Sequence, residues 1–492
     1  MKALKKLAPL SPYLLVFLIF FLPAIDTDLG WHLRYGEHFL NTGKILRENT
    51  LTYFLSTYEW SHSYTLYQIF TTLIYRSGSL ISLAIAYGFL GVTLFYLFNK
   101  INKLSPNFSL VLFLLFTIFS WNVFSLGWRA QVFTILFILI EFWILQKSEK
   151  SQKWLFLLAT LFVIWANTHG GFILGVLVLC FKTLDLSRGV ISVPPRRWNS
   201  TYTLGFCTLL STAATFINPY GLNIWQETLK HSQYPLHTLI AEWVKPSLVI
   251  SVYGVVIVVT LLAFIWVRKA KEKSFYTLIL LLGLFLLFEA KRNTAIFSLF
   301  AILTALRIFK NEIVKLESNK TMNTLRLQLF SHLTIVSSVI VFAIIRIPHT
   351  ISISTNWESY CGAARFCGAG SYCTKGLVKY PCKSVNFIRA NPVSGKNMYS
   401  AYEWGGFLEW QLPQYKPFVD GRMPTWSDLS PYTEYLEIIQ AQPGWDKKLE
   451  DYKTDWLLIG NGTFLDIELK SNPRVEWKEL YRDEVSVVYT KI

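Results

Sequence analysis

Charged side chains are scarce in this chain of 492 residues: Asp, Glu, Lys and Arg together make up 16% of it. An ordinary soluble protein carries about 25%, so the balance points to a membrane and away from a purely soluble fold. Acidic residues are the scarcer sign, 31 against 47 basic ones, for a formal charge of +16. The excess does not read as a nucleic-acid surface, because Lys and Arg gather in short segments between apolar runs, the pattern of cytoplasmic loops. Cysteine is also sparse, with six in all. No C-x2-C spacing, no nucleotide-binding glycine loop and no H-E-x-x-H occurs, which leaves a nucleotide donor or a zinc protease without sequence support. No A-x-A-type cleavage site follows the first apolar run, "LSPYLLVFLIFFLPAI", so it reads as a retained span rather than a signal peptide.

What is abundant is apolar sequence, at 52% hydrophobic and 16% aromatic. Runs of roughly 16 to 22 residues recur over the first ~350 positions, long enough or nearly so to cross a hydrocarbon core. They predict about eleven spans, at 8–25, 79–99, 106–126, 130–146, 154–168, 171–186, 202–217, 248–267, 274–289, 294–309 and 328–347. The segment "YTLYQIFTTLIYRSG" is not counted. Its apolar residues Leu66, Ile69, Phe70, Leu73 and Ile74 recur at helical spacing opposite Thr65, Gln68, Thr72 and Arg76, which predicts an amphipathic helix lying in the interface.

With that choice and a cytoplasmic N-terminus, every basic cluster falls on one side, including Lys147, Lys150 and Lys153, and Arg268, Lys269, Lys271 and Lys273. The expected protein is therefore a multi-pass protein of the plasma (inner) membrane. Residues 1–348 form its transmembrane domain, residues 26–78 a first external loop, and residues 349–492 an extracytoplasmic tail. Strand-like runs ("DWLLIG", "VSVVYTKI") and a helix-like one ("SPYTEYLEIIQ") in the tail predict a small α/β or α+β domain. Four cysteines, Cys361, Cys367, Cys373 and Cys382, cluster at its start. Outside the cytoplasm they read as two disulfides with three possible pairings, a zinc site being the rival.

This topology collects polar residues on the outer face. Asp26, Asp28, His32, Arg34, Glu37, Glu59 and His62 lie in the first loop, and Arg129, Asn167, His169, Asn218, Glu242, Lys291 and Arg292 at later span ends. Ionisable groups at membrane depth are costly and usually face a bundle interior or a wet cavity; one shared outer cavity would explain the set. Each has a plainer reading. Asp26 or Asp28 can be the N-cap of a helix that begins "LGWHLRYGEHFL" and ends at Gly43. Arg129, Lys291 and Arg292 can snorkel, and His169 and Asn218 sit among the Gly and Pro of turns. Against the cap stand two aspartates at i, i+2, with His32 one helical turn beyond Asp28. Two carboxylates suit a divalent cation (Mg or Mn), with His32 as a third ligand, or one of them can be a general base. Arg and Lys suit a phosphate. Together they describe group transfer from a lipid phosphate to a hydroxyl. In the tail, Asp420 and Arg422 of "FVDGRM" are the most suggestive pair, with a local turn salt bridge as the plainer reading.

"DTDLGWHLRYGEHFLNTGKI…YEWSHSYTLYQIFTTLIYRSG" resembles the opening of the GT-C class of polytopic glycosyltransferases, in particular the bacterial mannosyltransferase and aminoarabinose-transferase-like members. It is more closely similar to a group of bacterial membrane proteins with the same opening, on "WANTHGGFILG", "NPYGLNIW…IAEWVKPS", "KRNTAIFSL" and "EWGGFLEWQLPQYKPFVDGR". The resemblance implies transfer of a sugar from a polyprenyl-phosphate donor to a glycan, lipid or protein acceptor. Asp26 and Asp28 match the acidic motif, one as catalytic base and one helping to hold a metal. Asp28 stands where the mannosyltransferases more often carry Glu, which leaves the use of a metal open. Substrate binding falls to His32, Arg34, His62, Arg129, His169, Asn218, Glu242, Lys291 and Arg292. Two rivals belong to other classes: a lipid-linked glycan transporter or flippase, which calls for repeats or broken helices at mid-membrane, and a scaffold presenting the tail, which has no use for the aspartates.

Overall fold

The computed structural model describes all residues except 1–9, 189–195, 234–242, 269–271, 319–324, 364–365, 368–376, 425, 427–430 and 473–475. The chain divides into two compact units, one of residues 1–23, 81–224 and 242–351, the other of residues 24–80, 225–241 and 352–492.

The first unit is helical because its sequence leaves no alternative in lipid: only a helix satisfies every backbone N–H and C=O within one apolar segment. Each of the eleven predicted segments coincides with a helix, among them Ser11–Phe20, Pro106–Phe119, Leu157–Ala166, Phe172–Arg188 and Lys273–Glu289. Four described helices are long and apolar enough to cross a membrane unaided: Thr65–Asn102, Ala130–Ser148, Leu248–Val267 and Leu333–Thr355. The bent pair Lys291–Ile308 and Lys310–Glu317, at 75°, makes five if it is one span. The count of eleven is thus not established by length and composition, because several apolar helices are short. Core contacts within this unit are aromatic; Phe20 meets Tyr87, Phe113 and Phe124 at ring separations of 5.4, 6.2 and 5.0 Å. The Leu248–Val267 helix turns its apolar side chains outward, with Leu248, Val249, Val252, Tyr253 and Val259 all more than half exposed. A protein surface of that kind fits a lipid environment.

The second unit is built on a mixed sheet. A short antiparallel pair, β1 (Phe366–Cys367) and β2 (Leu377–Val378), precedes the strands β3 (Asn397–Ser400), β4 (Lys416–Pro417), β5 (Trp456–Gly460), β6 (Trp477–Arg482) and β7 (Ser486–Lys491). The order is β4-β3-β5-β7-β6, with β3 parallel to β4 and β5, and β7 antiparallel to β5 and β6. Central β5 is apolar and almost entirely buried, whereas edge strand β6 ("WKELYR") is half to fully exposed, as an edge with one wet face requires. The expected strands and the Pro431–Ile439 helix are present where the sequence put them.

The first-loop residues belong to this same unit. Trp31, Tyr35 and Trp60 share one buried cluster with Tyr399, Phe418, Val419, Met423 and Trp426 of the tail. The Leu29–Thr42 helix ends where Gly43, at φ 70°, donates its N–H to the Phe39 carbonyl. Thr65–Asn102 is two helices divided by non-helical backbone at Gly78 and Ser79. In the first of them Leu66, Phe70 and Leu73 are 42–53% exposed, while Thr65, Gln68, Thr71 and Thr72 are buried. The apolar stripe therefore faces outward, the arrangement of a helix that lies on a lipid surface.

Cys361 and Cys382 are joined as a disulfide, which selects one partner among the three predicted pairings. Cys373 and the side chain of Cys367 lie outside the described residues. Cys180 and Cys207 are free.

Candidate functional site

The acidic pair opens the Leu29–Thr42 helix. Asp28 occupies the N-cap position, yet its side chain makes no cap hydrogen bond. Its Oδ1 instead accepts from the Trp31 indole N–H at 3.1 Å, and Asp26 Oδ1 accepts from the Asp28 backbone N–H at 3.4 Å. The capping reading is therefore half right: the place is a cap, the carboxylate is used otherwise. Asp26 is buried at 5% exposure.

Glycines let the tail reach this point. A Cβ on Gly30 would lie 1.7 Å from the Gly406 carbonyl oxygen, and one on Gly421 would lie 2.3 Å from Asp28 Oδ1. Backbone of the helix Gly405–Gln411 thus lies against Thr27 and Gly30, and that of Gly421 against Asp28, a proximity that any larger side chain forbids. Tyr402 and Tyr380 are within electrostatic reach of Asp28, and Tyr380 and Tyr360 of Asp26. Burial first, and these carboxylates second, hold the Tyr360 and Tyr402 phenols above their usual range.

Next to it lies a fully buried charge cluster. The Arg422 Nε donates to both oxygens of Asp420 at 2.9 and 3.0 Å, and the Arg422 backbone N–H adds a third bond at 2.8 Å. That is the local turn salt bridge the sequence allows. It also extends much further: Nη1 donates to the Tyr35 hydroxyl at 2.7 Å, and Nη2 to Asn49 Oδ1 at 3.1 Å and to Glu409 Oε1 at 3.4 Å. The guanidinium lies over the rings of Tyr35, Trp60 and Trp426 at 5.1–5.8 Å. Burial alone would raise the Asp420 carboxyl, but Arg422 and a hydrogen bond from Glu409 hold it below the usual carboxylate range. Glu409 goes the other way: burial and the Asp420 charge keep it protonated well above its ordinary value, against the pull of Arg422. Burial pushes Tyr35 up to about 12, and burial together with Arg422 pushes His62 down to about 3.

The predicted site residues divide between the two units. In the second unit, the His32 ring is buried against Trp31 at 3.6 Å and against Tyr67 at 4.6 Å, and His62 is buried between Trp60 and Tyr35. His62 Nδ1 also accepts from the Tyr64 backbone N–H at 3.2 Å. Arg34 pairs with Glu37 at 2.9 Å on the exposed side of the helix. In the first unit, Arg129 is buried at the head of the Ala130–Ser148 helix. His169 Nδ1 accepts from the Gly171 N–H at 3.1 Å and lies 2.8 Å from Thr134 Oγ1. Asn218 closes a turn with bonds to Thr215, Gly221 and Tyr220, and Arg292 lies over the Trp243 ring at 4.3 Å. Glu242 lies outside the described residues.

Among the described residues no three His, Cys, Asp or Glu side chains come together to hold an ion, and the reason is visible at His32, whose ring turns into aromatic packing. Among the described residues no third His, Cys, Asp or Glu joins Asp26 and Asp28. The sequence reading missed Glu409, Tyr35 and Asn49. Glu409 stands in the quoted stretch "EWGGFLEWQ", but nothing local marks it as a partner of Arg422.

Comparison with solved structures places this fold. The chain is similar to the oligosaccharyltransferase AglB of Archaeoglobus fulgidus, a GT-C glycosyltransferase. Against the AglB complex with an inhibitory peptide and a dolichol-phosphate, the TM-score is 0.55 at 9% identity, covering 95% of this chain and 70% of AglB. Against the same enzyme tethered to an acceptor peptide containing the NVT sequon, it is 0.56 at 10% identity, covering 96% and 70%. Against its complex with Zn and sulfate, it is 0.53 at 8% identity, covering 98% and 73%. At this identity the likeness establishes the fold alone. No family model and no curated protein matches the sequence.

Proposed function

We propose that this chain is a membrane glycosyltransferase of the GT-C kind that moves a sugar from a polyprenyl-phosphate donor to an extracytoplasmic acceptor hydroxyl. The observation that carries the reading is the placement of Asp26 and Asp28 at the head of the first-loop helix, with the backbone of the tail closed against Asp28, in a chain with the AglB fold. Asp28 stands at the cap position, but its carboxylate accepts from the Trp31 indole and makes no cap hydrogen bond.

In this mechanism one of the two aspartates takes the proton of the acceptor hydroxyl. The oxygen attacks the anomeric carbon in line, the bond from that carbon to the donor phosphate breaks, and polyprenyl phosphate leaves with the electron pair. In the first unit, Arg129, Lys291 and Arg292 are the cations suited to a donor phosphate. Among the described residues the two carboxylates do not complete a cation site. About eleven spans, a cytoplasmic N-terminus and an extracytoplasmic tail in the plasma membrane complete the proposal. AglB itself is described with a dolichol-phosphate and with an acceptor peptide, which supports a lipid-linked donor and an outer acceptor here.

The test is single-turnover incubation of the purified full-length chain with polyprenyl-phosphate sugar, following the lipid product. Stoichiometric release of polyprenyl phosphate that depends on acceptor supports transfer. A flippase would move labelled donor between leaflets without cleaving it.

A further inference from the structure

We propose that the end of the first unit bearing the basic loops holds a binding site for a phosphate-bearing anion, separate from the acidic pair. A cavity of about 70 Å³ opens there where five helices end together. That is room for several water molecules, since one needs roughly 10–15 Å³ by this measure. Its polar lining includes Lys182, Glu272, Arg307, Lys310, Glu149 and Gln146. Its apolar wall comes from span ends, Phe142 and Leu303 among them.

The charges there do not balance. Glu272 gives one carboxylate oxygen to Lys182 and the other to Arg307, the latter at 3.2 Å. Glu149 reaches Arg307 only at 3.9 Å and is half exposed. Lys310 feels both Arg307 and Lys103, with Glu149 the opposing charge, and neither Lys310 nor Lys103 is ion-paired with a described carboxylate. Three cations, Lys182, Arg307 and Lys310, line the cavity against two carboxylates, with Lys103 in electrostatic reach of Lys310 and Asp185 of Tyr276. A purely structural staple would have closed with matched pairs.

The backbone points the same way. Only six described non-glycine residues have positive φ, and two of them are Glu272 (61°) and Lys103 (58°). Strained residues of this type persist where the surroundings over-determine them, often at ligand sites. Concentrated positive charge beside apolar walls at a span end matches a phosphate whose attached chain continues along the bundle, as in an anionic phospholipid. A free phosphate offers the same group without the chain.

The experiment uses the full-length protein in nanodiscs and in detergent, wild type beside Lys310→Gln and the Lys103→Gln, Lys310→Gln pair, with size-exclusion profiles to confirm folding. Retained lipid is counted by native mass spectrometry from phosphatidylglycerol mixed into phosphatidylcholine. Wild type should prefer the anionic lipid, and the double variant should lose about tenfold or more of that preference. Inorganic phosphate in detergent forms the second arm. If phosphate protects wild type but not the variant from heating, while lipid retention is unselective, the ligand is the free ion. If lipid is selected and phosphate is silent, it is the headgroup. No difference between wild type and the double variant in either arm overturns the site and leaves an ion-pair staple.

Discussion

Arg422→Met keeps much of the side-chain volume and removes the charge at the centre of the second unit. Two acidic groups, Asp420 and Glu409, then remain buried with no guanidinium between them, and Tyr35 and Asn49 lose a partner. Breaking a buried ion pair from one side costs about 3–5 kcal/mol. In a unit of roughly 200 residues each kcal/mol moves the midpoint by about 2–4 °C, so the variant should unfold roughly 6–20 °C lower. The pH dependence separates this account from mere loss of packing. In the wild type the Asp420 carboxyl is held low, so its contribution is present above the unfolded pKa of about 3.9 and is lost as pH falls through the folded value. In the variant burial raises that carboxyl above about 3.9, so the contribution reverses and stability is lost as pH rises. The deficit should therefore be larger at about pH 8 than at about pH 5, where the stranded carboxyl takes up a proton. The assay is the fraction of folded full-length protein recovered on size exclusion after heating, at both pH values. A midpoint unchanged at the higher pH, or an equal deficit at both, would refute the reasoning.

Glu409→Gln should fold, and its advantage over wild type should grow with pH above about 4.3, because the wild-type carboxyl stays protonated in the fold while it ionises in the unfolded chain; parallel melting profiles would show that Glu409 is not held neutral. Removing the Cys361–Cys382 bond, which closes a separation of 21 residues, should cost about 3 kcal/mol, and alkylation under non-reducing conditions should spare both thiols; labelling of either in protein from an oxidising compartment contradicts the pairing. A cysteine introduced at position 270 should be shielded from a membrane-impermeant reagent in intact cells while one in the tail is labelled, as the basic loops require; the reverse would invert the topology.

The helices were legible because an apolar run has one outcome in lipid, and the stop at Gly43 because φ of 70° suits glycine. The amphipathic stripe of the helix that starts at Thr65 was legible, and its Leu66, Phe70 and Leu73 face outward. The tail strands read from alternation and β-branched content. Of the charge cluster only the local Asp420–Arg422 pair was legible. Arg422 meets Tyr35 and Asn49 across separations of 387 and 373 residues, and no local periodicity encodes such a partner. The same applies to Asp28, whose neighbour at Gly421 is fixed by how the first loop packs on the tail. His32 and His62 looked like site residues by type and place. Both are buried against aromatic rings, a surrounding that composition cannot foresee.

The central claim is that the acidic pair does chemistry. Its direct measurement is sugar transfer from a polyprenyl-phosphate donor by purified full-length protein, wild type against Asp26→Asn and Asp28→Asn, with a melting curve for each. Asn keeps the size and most of the capping ability of Asp, so the variants should melt as wild type does. Transfer should fall by at least about 10²-fold in one or both. Well-folded Asn variants at both positions with undiminished transfer would contradict it.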